Sequence, residues 1–267
     1  MTKQERVQAI LCPEAGKSSG AGRAHYMPHE KDSWLDPQRF FQQFPSLYAF
    51  IKAVLSPTLS LESWTTEVPS PSTHVVLNLG AGATQLHADM INADFVAFPH
   101  IDIVADFLEP LPIRSQSVDA VVSISTFEHL AKPQFVASEV CRILKPGGIF
   151  YLATPFLYPF HGAPYDYTRW SLPGLQTLLG DSFEIVRSGS RGGPMGVVTL
   201  SLAHTLGQLF SFGSLRLYSI LNFAGLGLLS PLKLLDLILA KLPFNTTLCP
   251  GLFVTARKVA TLKPTSA

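Results

Sequence analysis

From His74 onward the chain alternates short apolar runs with polar turns. VVLNLG (75–80), MINADF (90–95), HIDIVADF (100–107), SVDAVVSIS (117–125), GGIFYLATP (147–155), SFEIVRSGS (182–190) and GLFVTARK (251–258) each read as a strand. Continuous apolar runs of this length suit strands buried on both faces of a parallel sheet. PQFVASEVCRILKPGG (133–148) instead repeats apolar residues at helical spacing and stops at Pro-Gly-Gly, a helix-end signal. The alternation predicts an α/β fold, a mostly parallel sheet with helices on its faces. One stretch strains this picture. The gaps from Leu79 to Ile91 and from Phe95 to Ile101 are at or below the dozen residues that a parallel crossover normally needs. Either the crossover helices there shrink to turns, or one strand is irregular.

The flanking segments read differently. Residues 1–31 are polar, with Gly and Ser at 16–22, and predict a loosely ordered lead-in. Residues 32–73 predict one or two amphipathic helices broken at Pro45, followed by a Pro/Ser/Thr-rich linker. The core is then 74–191 with 251–260, and an apolar insertion fills 192–250. Between Gly192 and Leu232 the only Asp, Glu, Lys or Arg is Arg216. Such a segment predicts helices that cap a site, pair with a second subunit or lie on a membrane surface. A span is not expected, because Gly213, Gly225, Gly227 and Pro231 interrupt it, and capping or dimerisation is favoured over a membrane-surface location.

Composition narrows the function. Hydrophobic residues make up 47% of the chain and charged residues 15%, enough for a large core with apolar surface left over. A net charge of +1 without a basic stripe argues against nucleic acid as partner. Cys12, Cys141 and Cys249 form no CxxC pair, so neither a disulfide framework nor a metal centre is expected. The N-terminal residues lack a signal-peptide core, which together with the cysteines suggests a cytoplasmic protein, with membrane association left open through 192–250.

Three features converge on a nucleoside ligand. Gly80-Ala81-Gly82 ends the first core run, where glycine lets a ligand approach the backbone. Asp94 ends the second run, placed to accept from ribose hydroxyls. Asp106 and Phe107 end the third, as acceptor for an adenine amino group and as packing surface for its ring. The full G-x-G-x-x-G fingerprint of nicotinamide enzymes is absent, since Gln85 stands at the third glycine.

VLNLGAG, NAD, VADFLEPLPIRSQSVDAVVSISTFEHL and EVCRILKPGGIFYLATP together resemble the class I methyltransferases, specifically the methyltransferase type 11 group. The resemblance covers about residues 74–190, with Leu252–Lys258 as the last strand. It implies a Rossmann-like seven-stranded sheet with its last strand antiparallel, and S-adenosylmethionine as methyl donor. It also places Gly80 and Gly82 at the methionine side, Asp94 at the ribose, Asp106 and Phe107 at the adenine, and Ser123 to Ser125 along the cofactor. Asn78 stands where the family often has an acid.

Methyl transfer needs an aligned acceptor and, for a hydroxyl, a proton acceptor. PFLYPFHGAPYDYTRW (155–170) gathers titratable groups beyond the fifth strand and is the expected acceptor wall. There His161 is the candidate base, Asp166 its orienting acid and Arg169 an anion clamp; a rigid loop held by an Asp166–Arg169 ion pair competes with these roles. Glu128-His129 is expected to open a helix, with Glu128 complementing its dipole. The acceptor, small or lipid-linked, is methylated on O, N or C; the alternative is a module that binds the cofactor without turnover.

Overall fold

The computed structural model describes residues 1–13, 56, 58–59, 63–161 and 165–260. The predicted helices over 37–55 lie outside the described residues. Seven strands form one sheet: β1 (Val76–Leu79), β2 (Ile91–Asp94), β3 (Ile103–Val104), β4 (Val118–Ile124), β5 (Leu144–Pro155), β6 (Phe183–Arg191) and β7 (Gly251–Lys258). Their spatial order is β3-β2-β1-β4-β5-β7-β6. The first five pair in parallel, and β7 runs antiparallel between β5 and β6. Every predicted strand is therefore present. All four residues of β1 and of β2 are buried, which is why their sequences show no in-out alternation.

The short gaps resolve as both alternatives at once. Turns, not helices, connect β1 to β2 and β2 to β3, and β3 contains only two residues. The sheet face opposite the one that right-handed crossover helices would cover is reached from the N-terminus. There, where a loosely ordered lead-in is expected, α1 (Lys3–Ile10) forms, closed by a capping box between Thr2 and Glu5. Val7 and Ile10 enter the core cluster that holds Leu77, Leu79, Ile91 and Ile103. Arg114 N donates to Ile10 O at 2.8 Å, and Arg6 is buried with its guanidinium donating to the carbonyls of Pro71 and His74. Burial of two aliphatic side chains contributes roughly 3–6 kcal/mol toward ordering this helix, beside the cap and the Arg6 bonds.

On the same face lie α2 (Pro133–Ile143), which packs Val136, Ala137, Val140 and Ile143, and α3 (Leu172–Leu179), which packs Leu175 and Leu179. Glu139 on α2 accepts from Leu111 N at 2.8 Å and from Arg142, whose guanidinium also donates to the carbonyls of Leu111 and Ile113. Burial alone would raise the Glu139 carboxyl, but the bonds from Arg142 and the Leu111 amide outweigh it and hold the group below its ordinary value. A depressed carboxyl stabilises the fold above its unfolded pKa and loses that contribution as pH falls through the folded one. Glu139→Gln is therefore expected to cost about 1–3 kcal/mol at neutral pH, with the difference from wild type shrinking below about pH 4 in denaturant titrations.

The segment between β6 and β7 is helical, as expected. α4 (Pro194–Phe210) and α5 (Leu215–Leu229) pack on each other, followed by a 3-10 stretch (Ser230–Leu235) and α6 (Asp236–Leu239). Buried Asp236 accepts from the amides of Met195 and Gly196 and thereby ties the far end of the insertion to the start of α4. No residue of α5 is buried, and Leu209, Phe210, Phe212 and Leu215 are all exposed at the tip of the hairpin.

Candidate active site

The strand order reverses at β1, which lies between β2 and β4. A crevice beyond the carboxyl ends of strands at such a point is where open α/β sheets bind ligands. The chain leaves β1 through Gly80 and Gly82, both in the left-handed region at φ 75° and 55°. That conformation is strained for residues with a Cβ. Gly80 N and Ala81 N donate to Ala93 O at 2.9 and 3.2 Å, which folds the bend over the end of β2. A Cβ on Gly80 would overlap the Thr126 side chain, whereas the space beside Gly82 is open.

Asp94 is buried, and each of its carboxylate oxygens accepts one backbone amide: Gly82 N at 2.8 Å and Val96 N at 2.9 Å. An ionised carboxylate has about four acceptor sites, so capacity remains for ligand hydroxyls. Ala105 N donates to Asp94 O at 3.0 Å, which brings Asp106 to the same edge. Asp106 is exposed and closes its own turn by accepting from Leu108 N at 2.9 Å. Gly80, Ala81, Gly82, Asp94 and Asp106 are thus brought together.

Other predicted contacts are placed differently. Phe107 is buried in the core cluster, so its ring is turned away from an adenine. The exposed apolar neighbours of the two acids are Phe95 and Leu108. β3 ends after two residues and the chain turns at once, so strand parity gives no guide to which side chain faces out. Ser123 is fully buried and donates to Leu79 O at 3.0 Å; it fastens β4 to β1 and does not line a ligand surface. Ser125 is exposed at φ 53°, at the turn that leaves β4. Asn78 is buried and donates to Asn92 Oδ1 at 3.1 Å, within the sheet.

Beyond β4, Thr126 contacts the carbonyls of Leu79 and Gly80, and a three-residue 3-10 turn, Phe127–His129, follows. Glu128 does not open a helix facing solvent; it is fully buried. Over it folds the loop after β5, pinned by Tyr167 N donating to Glu128 O at 2.7 Å. Asp166 takes a bidentate pair from Arg169, whose bonds hold its carboxyl down at about 2. Arg169 also donates to the carbonyls of Tyr158 and Pro159, so it is a strut of the loop and not a free anion clamp. His161 N donates to Asp166 Oδ2 at 3.0 Å. The Glu128 carboxylate is the main influence raising the His161 imidazole above its ordinary value, against the opposing effect of burial. A shallow depression of about 300 Å³ on this loop is lined by Tyr158, Phe160 and Asp166 to Arg169. These bonds fix the described residues of the loop over Glu128.

Residues 75–152 match a family model described as a methyltransferase domain. A Mycolicibacterium smegmatis protein described as a probable S-adenosylmethionine-dependent methyltransferase is 41% identical over 58 residues, which are 22% of this chain and 23% of that protein. The match thus spans about a quarter of that relative's length. Among solved structures, Haemonchus contortus phosphoethanolamine N-methyltransferase 2 aligns at 14% identity and a TM-score of 0.48, over 85% of this chain and 59% of that one. Burkholderia thailandensis 1,6-didemethyltoxoflavin-N1-methyltransferase aligns at 16% identity and a TM-score of 0.46, over 88% and 91%. Residues 75–152 are thus similar to a methyltransferase domain, and S-adenosylmethionine is the cofactor that the matched relative's description names. The positive-φ glycines and the two acids at one sheet edge fit that group.

Proposed function

We propose that this protein transfers the methyl group of S-adenosylmethionine to an O, N or C atom of a small or lipid-linked acceptor. The observation that carries the reading is the Gly82 amide held by the Asp94 carboxylate at 2.8 Å, at the reversal of strand order. Bound there, the sulfonium supplies an already activated methyl group. The chain's part is to bind and align. Gly80 to Gly82 leave the backbone accessible to the methionyl end. Asp94 accepts from the ribose hydroxyls and Asp106 from the adenine amino group, with Phe95 and Leu108 against the ring. The Asp166–Arg169 pair keeps the loop over Glu128 rigid, so the acceptor meets a preformed wall. Asn78, committed to Asn92, favours a second reading in which the cofactor binds without turnover. Incubation with methyl-labelled S-adenosylmethionine and fractionated small-molecule and lipid extracts separates the two. Labelled product with S-adenosylhomocysteine release supports transfer; binding without release supports the second reading.

The lipid-linked option rests on the insertion. Leu215–Leu239 is long and apolar enough to cross a membrane by length and composition, and little of it is buried. The tip offers Phe210, Phe212 and Leu215 to the outside, a surface suited to insertion among acyl chains. Phospholipid vesicles are expected to float the protein, and Phe210→Asp with Phe212→Asp to abolish flotation without altering S-adenosylhomocysteine affinity. A soluble dimer that loses its pairing in the same variant would assign the surface to a second subunit.

A further inference from the structure

Glu128 is fully buried, and neither carboxylate oxygen accepts a hydrogen bond from any described residue. A buried carboxylate without partners is costly and calls for a cation. Two imidazoles face it: His129 Nε2 and His161 Nε2 each stand 3.7 Å from Glu128 Oε1. That distance is too long for a hydrogen bond and leaves room between the groups. The two rings meet edge to face with centroids 5.2 Å apart.

The far side of each ring fixes what the near side offers. His129 Nδ1 lies 2.5 Å from Tyr165 O. His161 Nδ1 lies 3.2 Å from Pro159 O and 3.2 Å from Asp166 Oδ2. Carbonyls and ionised carboxylates only accept, so each Nδ1 donates on its far side, and a cation entering beside Glu128 would take the place of the Nε2 proton. A ring N–H donated to a carbonyl or carboxylate, with the other nitrogen free, is the arrangement that orients metal-ligating histidines. The three ligand atoms lie within 4.8 Å of one another. A tetrahedral set with bonds of ~2.0–2.2 Å spaces its ligands at roughly 3.4 Å, so small side-chain rotations close the set.

We infer that Glu128, His129 and His161 bind one first-row divalent transition-metal cation, with open coordination positions toward the loop surface. Two imidazoles and one carboxylate suit Zn²⁺, Fe²⁺ and their neighbours better than Mg²⁺ or Ca²⁺. The imidazoles are partly exposed while the carboxylate is not, so the open positions face outward. Thr126 joins the same turn to the glycine bend, which sets the cation beside the cofactor edge. Resting on the methyl-transfer reading, the acceptor is then one whose oxygen ligates the cation.

The test uses the untagged full chain, stripped with chelator and titrated with Co²⁺, with visible absorption reporting ligand geometry and Zn²⁺ as competitor. One equivalent of Co²⁺, displaced by Zn²⁺, is expected. Glu128→Gln and His161→Gln should each weaken binding at least about tenfold, and His161, on a half-exposed loop, can be replaced without emptying the core. Absence of stoichiometric uptake, or uptake unchanged in His161→Gln, overturns the inference. Parallel S-adenosylhomocysteine titrations keep the two readings apart. Cofactor binding without metal uptake refutes only the cation site, and metal uptake without cofactor binding refutes only the methyl-transfer reading.

Discussion

Gly80→Ala is expected to lower affinity for S-adenosylhomocysteine by at least about thirtyfold. Two costs add at this position. The left-handed backbone disfavours a Cβ by roughly 1–2 kcal/mol. The new methyl also overlaps Thr126, and relieving such overpacking costs roughly 1–3 kcal/mol more. At about 1.4 kcal/mol per tenfold, the sum of about 2–5 kcal/mol amounts to about thirtyfold to several thousandfold if the bend shifts to relieve it. Gly82→Ala is the control. Its φ is also positive but its surroundings are open, so only the backbone cost applies, about tenfold. Calorimetric titration of the two variants, with circular dichroism to verify folding, checks the ratio. Equal and small effects at both glycines would remove the bend from the binding site.

Asp94→Asn is expected to cost a similar factor for a different reason. The carboxylate accepts two backbone amides on its two oxygens. An amide side chain presents one oxygen and one NH2, so either Gly82 N or Val96 N would face a donor. An unsatisfied buried donor costs about 1–3 kcal/mol even without ligand, and the ribose contacts are lost in addition. The variant should therefore show both a lower unfolding free energy in the cofactor-free protein and at least about a hundredfold weaker S-adenosylhomocysteine binding. Unchanged affinity with reduced stability would make Asp94 a structural turn residue only.

Much of this was legible in the amino-acid pattern, for identifiable reasons. The strands are legible because buried parallel strands need nearly continuous apolar runs, but α2 stops at Ile143, ahead of Pro146-Gly147-Gly148, which falls inside β5. The missing crossover helices are legible as short gaps. α1 was not, because six of its eight residues are polar or small and its apolar contribution is Val7 and Ile10; the Thr2–Glu5 capping box was the available signal. At the site, the glycines and acids follow from their place at strand ends. Phe107 and Ser123 do not, since each is claimed by a distant partner, the core and Leu79 O, whereas the Asp166–Arg169 pair is local and was the competing expectation. Glu128 was hardest to read. Its burial depends on a loop more than thirty residues later folding over it, and no local periodicity reports that. The insertion failed differently: an almost uniformly apolar helix has no polar face from which to tell inside from outside.

The central claim is that the bend after β1 and the acids closing β2 and β3 form one nucleoside site. Titration calorimetry of the intact chain with S-adenosylhomocysteine tests it most directly. One molecule bound per chain, with binding lost in Gly80→Ala and Asp94→Asn, is the predicted result. No binding heat at millimolar ligand by a folded protein, or affinity untouched by both substitutions, would contradict it.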